Sequence, residues 1–434
     1  MTTAAVSSER IDRAIAEIDR KVAGIVDAVL HHPAVQALEA AWRGLAYVAE
    51  RVDATENIEL VVWSYTKEEA AQDFEAESDV TRTRFFRMVY TAEYGQHGGK
   101  PYTALLANWS ASPALPDVEL LSKLASVAAM AHAPLLLAAA PELLRVRALT
   151  ELQSMTHPEG VLDGPGAERW ASFRRSEDSR YVGVLLPRVL LRVPYGELGG
   201  SAERFVYDEQ ALGAGDFLWG SPIFAFAVRV ADSFARYRSF AGIVGSEDDE
   251  PPVHDSHPAL GTWYVKPPLE IMLSRRLEQS LSDLGLIPLS WDPVRATLRF
   301  TSASSAQLPR SFGSADGGPA ATLSHLLGTR LPHLFLASRF AHYLKVLERE
   351  RIGSHRERVD IERDLNAWIA QYVVVMDSAP VTTRLKYPLR NARVTVSEVP
   401  GSPGIHGLEI KLQPHLRYMR QAVTLSVDGR LEGR

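Results

Sequence analysis

The sequence predicts an α/β fold, α+β overall, with N-terminal helices, a central sheet domain and a small C-terminal sheet completed by partner strands. Three patterns support this class: an opening apolar heptad repeat, a central alternation of strand-like and helical segments, and three short alternating strands at the end. The predicted divisions are N-terminal helices over 1–50, an α/β domain over 51–301, a linker over 302–321 and a C-terminal domain over 322–434.

The first helix is predicted from an apolar seam whose members lie alternately four and three residues apart, as in a coiled coil. Such a narrow seam is compatible with a partner helix and equally with the chain's own core. Pro33 ends the helix, because a residue that precedes proline avoids the helical conformation. The seam consists of Ile11, Ile15, Ile18, Val22, Ile25 and Val29. A second helix follows, with one apolar face made of Val35, Leu38, Trp42, Leu45 and Val48.

The middle of the chain alternates between strands and helices. Apolar runs indicate strands and the segments between them show helical periodicity, so we expect a largely covered sheet. The segments are a buried strand at 58–66, a helix at about 67–93, a strand at 103–109, a helix at 117–133 with Asp117 as N-cap, a strand at 134–140 and a helix at about 216–241. An acidic, proline-containing stretch at 245–258 is predicted to be an exposed loop.

The C-terminal part has a different pattern. A linker rich in Ser, Gly, Ala and Pro leads to a long helix at 331–352, and a capping box of Ser354 and Glu357 begins another helix. That helix is predicted to bury Ile361, Leu365, Trp368, Ile369 and Tyr372. Three short strands then form a small sheet, at 393–399, 407–413 and 422–429. Its two edges are open, and an edge that stays open suits pairing with a strand of another chain.

Composition limits the class of protein. The chain has 434 residues and no cysteine, which excludes disulfides and thiolate metal sites. Its net charge of −6 gives no overall electrostatic attraction to nucleic acid. The N-terminus lacks a signal-peptide core, and the longest apolar run, 134–144, is too short to span a membrane. We therefore predict a soluble cytoplasmic protein without membrane or nucleic-acid partners.

A search for catalytic and metal-binding motifs is negative. HGGK at 97–100 is followed by Pro101 and so departs from a phosphate-binding loop, and neither G-x-S-x-G nor H-E-x-x-H occurs. His325, His333 and His342 are spaced by eight and nine residues, which does not put three ligands on one helix face. We predict no catalytic, cofactor-binding or metal-binding residue, and packing roles for these histidines.

Residues 174–196 form the densest charged stretch, RRSEDSRYVGVLLPRVLLRVPYG. Paired carboxylates beside arginines can act as an acid–base set, which would make the chain an α/β enzyme with a charged pocket near 177–192. With no nucleophile nearby, a structural ion-pair network is the preferred interpretation. Whether the last two arginines bind an anion or pair with carboxylates across a subunit boundary stays open. The predicted network consists of Glu177, Asp178, Arg180, Arg188 and Arg192.

Several long segments resemble, in order, the large sheath subunit of bacterial type VI secretion systems, the TssC or VipB family. The resemblance covers nearly the whole chain and begins with IDRAIAEIDRKVAGIVDAVLHHPAVQALEAAWRGLAYV. It continues through EYGQHGGKPY, DVELLSKLASVAAMAHAP, the stretch at 174–196, FLWGSPIFAFAVRVADSF, RLPHLFLASRFAHYLKVLERERIGSHRER and the final strands. A non-enzymatic, structural role is implied by this resemblance.

The resemblance implies a set of partners. The large subunit pairs with a small subunit (TssB or VipA), and the pairs form a six-fold helical sheath around a tube of Hcp hexamers. Contraction of the sheath, which stands on a baseplate, drives the tube and its spike outward. The N-terminal helix would pack on the small subunit, and the C-terminal strands would pair with strands of small subunits. Carried over by position, the inter-subunit strand residues are Val394, Val396, Leu408, Ile410, Leu412, Val423 and Leu425.

Two further expectations come from the same resemblance. The helix that faces the inner tube is placed at Arg356, Glu357, Asp360 and Arg363. Family members usually have a longer N-terminal extension, which the unfoldase ClpV recognises, whereas about ten residues precede the heptad helix here. Recognition by ClpV is therefore not carried over. A subunit of a related phage-tail-like contractile injection system is the alternative that shares this fold.

Overall fold

The computed structural model describes residues 8–94, 96, 98–155, 158–162, 167–196, 207–211, 213, 215–244, 268–292, 297–313, 318–351, 358–376, 379–398, 406–415 and 425–431. The helices are α1 Ser8–Leu30, α2 Pro33–Ala49, α3 Lys67–Ala76, α4 Arg84–Phe86, α5 Ala92–Tyr94, α6 Leu115–Met130, α7 Glu168–Arg175, α8 Ile223–Tyr237, α9 Arg275–Asp283, α10 Gly318–Gly328, α11 Leu331–Arg351, α12 Arg358–Ile369 and α13 Val381–Lys386. The strands are β1 Leu105–Ala111, β2 Leu135–Ala139, β3 Val182–Leu186, β4 Val189–Arg192, β5 Leu218–Gly220, β6 Leu286–Asp292, β7 Thr297–Phe300, β8 Leu389–Glu398, β9 His406–Pro414 and β10 Leu425–Leu431.

The central sheet has five strands in the order β1-β2-β3-β6-β7. The first four are parallel, and β7 runs antiparallel to β6. Every residue of β2 and β3 is buried, as expected for parallel strands covered on both faces. This arrangement, with helices at both ends of the chain and a small C-terminal sheet, confirms the predicted α/β class.

Successive residues of β2 point to opposite faces of the sheet and enter different cores. Leu135 and Leu137 pack in the core that α6, α7 and α9 cover, whereas Leu136 packs in the core that α8 covers. The long helix α11 contributes Leu331 and Phe335 to the second of these cores. Both faces of the sheet are therefore closed by helices.

The C-terminal sheet is antiparallel, in the order β10-β9-β8. One face of β8 and β9 packs on α12 and on the second half of α11 and forms a third core. Because α11 also contributes to the core on the central sheet, this helix joins the two sheets.

The segment 58–66 differs from its prediction. It is extended but pairs with no strand among the described residues, and Leu60, Val61 and Val62 are exposed rather than buried. Trp63 and Tyr65 are partly buried against the core of the central sheet. The predicted buried strand is therefore wrong for the isolated chain.

Three smaller differences concern helix ends and loops. The predicted helix at 67–93 is broken into α3, α4, a π-helical turn at Arg87–Thr91 and α5. Helix α6 begins at Leu115 with Ala114 as its N-cap, so Asp117 lies inside the first turn, where its carboxylate pairs with Lys67 at 2.7 Å. The predicted loop at 245–258 lies outside the described residues.

The first part of the predicted linker is packed rather than exposed. Ala303, Ser304, Ser305, Ala306 and Gln307 are all buried. The backbone N–H of Ala306 donates to the carbonyl of Val182 at the start of β3, at 2.8 Å. Composition suggested a spacer, but small side chains here allow the backbone to lie close to the central sheet.

Candidate functional site

The first charged group of the predicted network lies at the start of β3. Glu177 accepts hydrogen bonds from Arg180 at 2.6 Å and from the Gln307 side chain at 3.3 Å, and it pairs with Arg310 at 2.7 Å. Burial opposes ionisation of Glu177, but the two arginines hold its pKa below the usual range. Burial raises the pKa of the neighbouring Asp178, which forms no ion pair with another described residue. This group is partly exposed to solvent.

Arg188 forms a separate, bidentate pair within the chain. Its Nε and Nη2 donate to the two carboxylate oxygens of Glu270 at 2.8 and 2.7 Å. The backbone strengthens the contact, because the N–H of Glu270 donates to the carbonyl of Arg188 at 3.1 Å. The Arg188 side chain is half-exposed while that of Glu270 is buried, so the pair fixes the segment around Glu270 beside the start of β4.

Arg192 lies at the centre of the third group, which is buried. It donates to Glu39 of α2 at 2.9 Å and to Glu209 at 2.5 and 3.2 Å, and its guanidinium lies 4.6 Å from the ring centroid of Tyr195. His31 contacts the same Glu209 carboxylate at 3.1 Å. Burial disfavours the ionised form of Glu209, but the hydrogen bonds from Arg192 and from the Tyr195 N–H keep its pKa below the usual range.

The five charged residues therefore do not form one network. Across the described parts of the chain, the groups around Glu177, Arg188 and Arg192 have no ion-pair partner in common. All the ion-pair partners identified belong to the same chain: Glu177 pairs with arginines, whereas Arg188 and Arg192 pair with carboxylates. The same parts of the chain contain no cluster of three or more His, Asp or Glu side chains that could hold a metal ion.

The group around Arg192 anchors the end of α1 and the start of α2. Besides the contacts of Glu39 and His31, the Tyr207 hydroxyl donates to Asp27 in the last turn of α1 at 2.6 Å. The Gln36 side chain donates to the carbonyl of Gly215 at 3.1 Å. These contacts involve the C-terminal end of α1 and the helix that follows it, so they fix the base of α1 on the body of the chain.

The N-terminal half of α1 projects from the rest of the described chain. Every side chain from Arg10 to Ile18 is exposed. All six seam residues are exposed, from 38% at Val22 to 65% at Ile25. The described part of the chain therefore leaves the heptad seam uncovered.

The exposed apolar surface continues on α2. This helix packs against α8 through Gly44, where an added Cβ would lie 2.2 Å from the Phe224 ring, and through Tyr47 and Val48. The predicted single apolar face is therefore divided: Val48 is buried, but Leu38 and Trp42 are exposed. An exposed tryptophan beside an exposed leucine is typical of protein–protein contact surfaces.

The predicted inter-subunit strand residues form the core of the C-terminal sheet. Val394, Val396, Leu408, Ile410 and Leu412 are buried against α11 and α12. Leu425 begins β10, opposite Leu412 of β9. Val423 lies outside the described residues. The side chains of β8 and β9 thus hold the sheet on its helices, and only the backbone edges of the sheet can pair with another chain.

One of these edges is covered by side chains of α12. Asn366 bonds both backbone groups of Val394: its Nδ2 donates to the carbonyl at 2.7 Å and its Oδ1 accepts from the N–H at 3.0 Å. At Val396, the N–H donates to Glu362 at 3.1 Å and the carbonyl accepts from Arg358 at 3.1 Å. The sequence predicted two open edges, but β8 has its outer edge satisfied here. The far edge of β10 has no strand partner among the described residues.

The helix predicted to face an inner tube is described from Arg358 onward, so Arg356 and Glu357 lie outside the described residues. Asp360 and Arg363 pair with each other at 2.9 Å on the outer side of α12. Leu365 and Ile369 are buried, as the sequence predicted, whereas Ile361, Trp368 and Tyr372 are only partly buried against the same core.

Histidines of α11 are buried in packing positions. His342 contacts the carbonyl of Ala131, at the end of α6, at 3.0 Å. Burial lowers the pKa of His333 to about 4 and that of His342 to about 3. His132, which bonds the Tyr181 hydroxyl at 3.0 Å, has its pKa lowered by burial to about 4. All three imidazoles are therefore neutral at physiological pH.

Two family models match this chain almost from end to end. The one described as EvpB/VC_A0108, tail sheath N-terminal domain, covers residues 12–307, and the one described as EvpB/VC_A0108, tail sheath gpW/gp25-like domain, covers residues 320–431. Type VI secretion system sheath protein TssC1 of Pseudomonas aeruginosa is 34% identical over an alignment of 429 residues, and the match covers 96% of this chain and 84% of that protein. The chain belongs to the VipB tail sheath family.

In this VipB-family chain, sequence reasoning found the charged arginines but not their partners. Glu270 is 82 residues from Arg188, and Glu39 is 153 residues from Arg192. No local pattern links charges so far apart in sequence. The exposed Trp42 was also missed, because helical periodicity identifies an apolar face without showing what covers it. No helix among the described residues of this family member is long and apolar enough to cross a membrane.

Proposed function

We propose that the chain is a structural subunit of the contractile sheath of a type VI secretion system and has no catalytic role. Its membership of the VipB family and its likeness to a sheath protein support this role. The sheath subunit pairs with a small subunit, and the pairs assemble in the cytoplasm as a six-fold sheath around an Hcp tube. The observation that carries the proposal is the uncovered heptad seam of α1, because a seam of six exposed aliphatic side chains needs a partner helix.

The seam is the contact with the small subunit. Its aliphatic side chains would enter the core of a two-helix contact, and Leu38 and Trp42 of α2 would extend the buried surface. The buried group around Arg192 supports this geometry, since it fixes the base of α1 on the body of the subunit. Because the base of α1 is fixed, the projecting helix keeps a single orientation in the assembly.

Strand pairing between subunits takes place at the edge of β10. Asn366 and Glu362 satisfy the outer edge of β8, so β10 is the edge of this sheet that can accept a further strand. The contact would link each C-terminal sheet to a small subunit and thereby couple neighbouring subunits. The outer side of α12, with Asp360 and Arg363, is placed toward the inner tube.

Substitution in the seam tests the proposal. Ile18→Asp and Ile25→Asp put a charge into the helix contact, and each removes about 1.5–3 kcal/mol of apolar burial, so binding of the small subunit should weaken at least about tenfold. Both side chains are exposed in the isolated chain, so its thermal unfolding should be unchanged. Arg20→Asp, on another face of α1, is the matched control. Co-purification of both seam variants with the small subunit at wild-type yield would contradict the proposed contact.

A further inference from the structure

The segment 58–65 has an unusual environment for an apolar stretch. Its sequence is IELVVWSY, yet 40% of Leu60, 50% of Val61 and 64% of Val62 are exposed. Consecutive exposed residues point to opposite faces of an extended chain. Both faces are therefore uncovered at the centre of the segment.

The backbone of this segment makes no hydrogen bond within the described residues. None of its eight N–H groups and none of its eight carbonyl groups bonds a backbone or side-chain atom there, although each residue from Ile58 to Tyr65 carries one donor and one acceptor. Backbone groups of an extended stretch with these β-branched and aromatic residues are normally paired in a sheet. The segment thus has the composition of a strand from the middle of a sheet, but its backbone groups are unpaired within the described residues.

Side chains hold the segment extended without using its backbone. The Trp63 ring packs edge-on against Tyr102 with centroids 5.2 Å apart, and the Tyr65 ring stacks on Phe85 at 6.0 Å. The Tyr65 hydroxyl donates to Asp73 at 2.9 Å. These contacts fix the conformation before any partner binds, which lowers the entropy lost on binding.

Ion pairs tie both ends of the segment to the residues that flank β1. Glu59 pairs with Lys100, before β1, at 2.7 Å. Lys67, just after the segment, donates to the carbonyl of Ser110 in β1 at 3.4 Å and pairs with Asp117, after β1, at 2.7 Å. The segment therefore runs alongside β1 in the same direction. Since β1 pairs only with β2 among the described strands, the edge of the central sheet is incomplete on this side.

We propose that the 58–65 segment is a docking edge for an uncharged, apolar β-strand of the small sheath subunit, which completes the central sheet at the side of β1. The inference rests on the proposed sheath function. It goes beyond the contacts at α1 and β10, because it places a further shared strand in the central sheet. A strand of alternating aliphatic residues would pair with the backbone of the segment and cover Leu60 and Val62.

Charge determines the choice of partner strand. The one charged side chain of the segment, Glu59, is already paired with Lys100, so a partner strand needs no cation. The accessible edge strand of a second copy, β10, carries Asp428 and Arg430 and fits this neutral surface less well. Pairing of two 58–65 segments about a two-fold axis would make a closed dimer, which does not propagate along a sheath.

Disulfide trapping identifies the occupant. Because the chain has no cysteine, Val62→Cys introduces its single thiol, and Glu75→Cys on the exposed side of α3 is the control. Each variant is co-expressed with small subunits that carry one cysteine at successive positions. The proposal predicts cross-links from Val62→Cys, and not from Glu75→Cys, to alternate residues of one small-subunit segment. Cross-links between two copies of this chain, or none with the small subunit, would overturn it.

Hydrogen exchange on the purified wild-type complex tests the backbone pairing. Amides of 58–65 should exchange at least about 100-fold more slowly than in an unstructured peptide. Val61→Pro and Val62→Pro each remove one N–H, and because successive N–H groups of a strand point to opposite edges, one of them should weaken small-subunit binding at least tenfold. Val61→Ala and Val62→Ala keep the N–H and are the matched controls, and the proline variant that removes the paired N–H should bind at least tenfold more weakly than its alanine control.

The outcomes separate the two proposals. If wild-type chain and small subunit form a complex in which 58–65 exchanges like an unstructured peptide, the docking edge is wrong and the sheath function stands. If both proline variants bind like their alanine controls, the docking edge is also wrong. If the wild-type chain fails to bind the small subunit, both proposals fall.

Discussion

At the scale of single residues, burial decides which ion pairs matter for stability. Arg192 and Glu209 are both buried, and Glu209 depends on this arginine for two of its hydrogen bonds. Arg180 and Glu177 form an equally short pair, but both side chains are accessible to water. Exposed pairs gain little because water and salt screen them, whereas loss of one partner of a buried pair leaves an uncompensated charge.

Arg192→Met should therefore destabilise the chain far more than Arg180→Met. Methionine keeps much of the apolar stem but leaves Glu209 buried without its main partner. The unfolding free energy should therefore decrease by about 3–5 kcal/mol. The exposed pair should contribute less than about 1 kcal/mol. Urea-induced unfolding measures both, and equal losses in the two variants would show that the group around Arg192 is not a structural anchor.

The buried histidines predict a loss of stability at acidic pH. An unfolded histidine has a pKa near 6.5, whereas burial lowers the pKa values of His132 and His333 to about 4 and that of His342 to about 3. As the pH decreases, these histidines therefore bind protons in the unfolded state before they do so in the folded state. Stability is complete above about pH 6.5 and falls as the pH decreases toward 4, by about 1.4 kcal/mol per pH unit for each histidine.

Replacement of one histidine gives the control for this prediction. His342→Gln keeps a donor for the Ala131 carbonyl but does not titrate, so the decrease in unfolding free energy between pH 6 and pH 5 should become smaller by the share of one histidine, about 1 kcal/mol. Unfolding free energies at several pH values measure this slope. The same slope in the variant and in the wild type would contradict the assignment.

At the scale of elements, the edge of β8 shows how a helix can close a sheet. Asn366 and Glu362 of α12 take the positions that a neighbouring strand would otherwise occupy. An edge blocked in this way cannot pair with a second chain by accident. The C-terminal sheet is thus restricted to one direction of growth, through β10.

Asn366→Ala should open this edge. The N–H and carbonyl of Val394 would lose both side-chain partners, with a loss of about 1–3 kcal/mol in unfolding free energy and an increase in aggregation. Arg363→Ala, on the exposed side of the same helix, should change stability by less than about 0.5 kcal/mol. Thermal unfolding with light scattering reports both effects, and an Asn366→Ala variant as stable and soluble as the control would contradict the role of the side chain.

Elements could be predicted from the sequence where the hydrophobic periodicity matches the burial of their residues in the isolated chain. β2 and α12 are of this kind, and their buried residues follow from the pattern alone. The segment 58–66 was predicted as a buried strand because its composition is that of one, but the isolated chain supplies no neighbour for it. Asp117 was misassigned as an N-cap because Pro116 allows the helix to begin earlier, at Leu115.

At the scale of the whole molecule, α11 joins parts that the sequence suggested were separate. Its first turns complete the core on the central sheet, and its later turns complete the core of the C-terminal sheet. Sequence predicts the length of such a helix but not that its two halves have different partners, because those contacts join distant parts of the chain. We therefore expect the two sheets to move as one body when the subunit changes position in the sheath.

Assembly with a small subunit into a sheath is the property on which this chain's proposed role depends. Electron microscopy of the wild-type chain co-expressed with that subunit measures it. We expect hollow tubes or rings with six-fold symmetry, in which α1 packs on a helix of the small subunit. A wild-type chain that remains a soluble monomer in the presence of the small subunit, with α1 exposed, would contradict it.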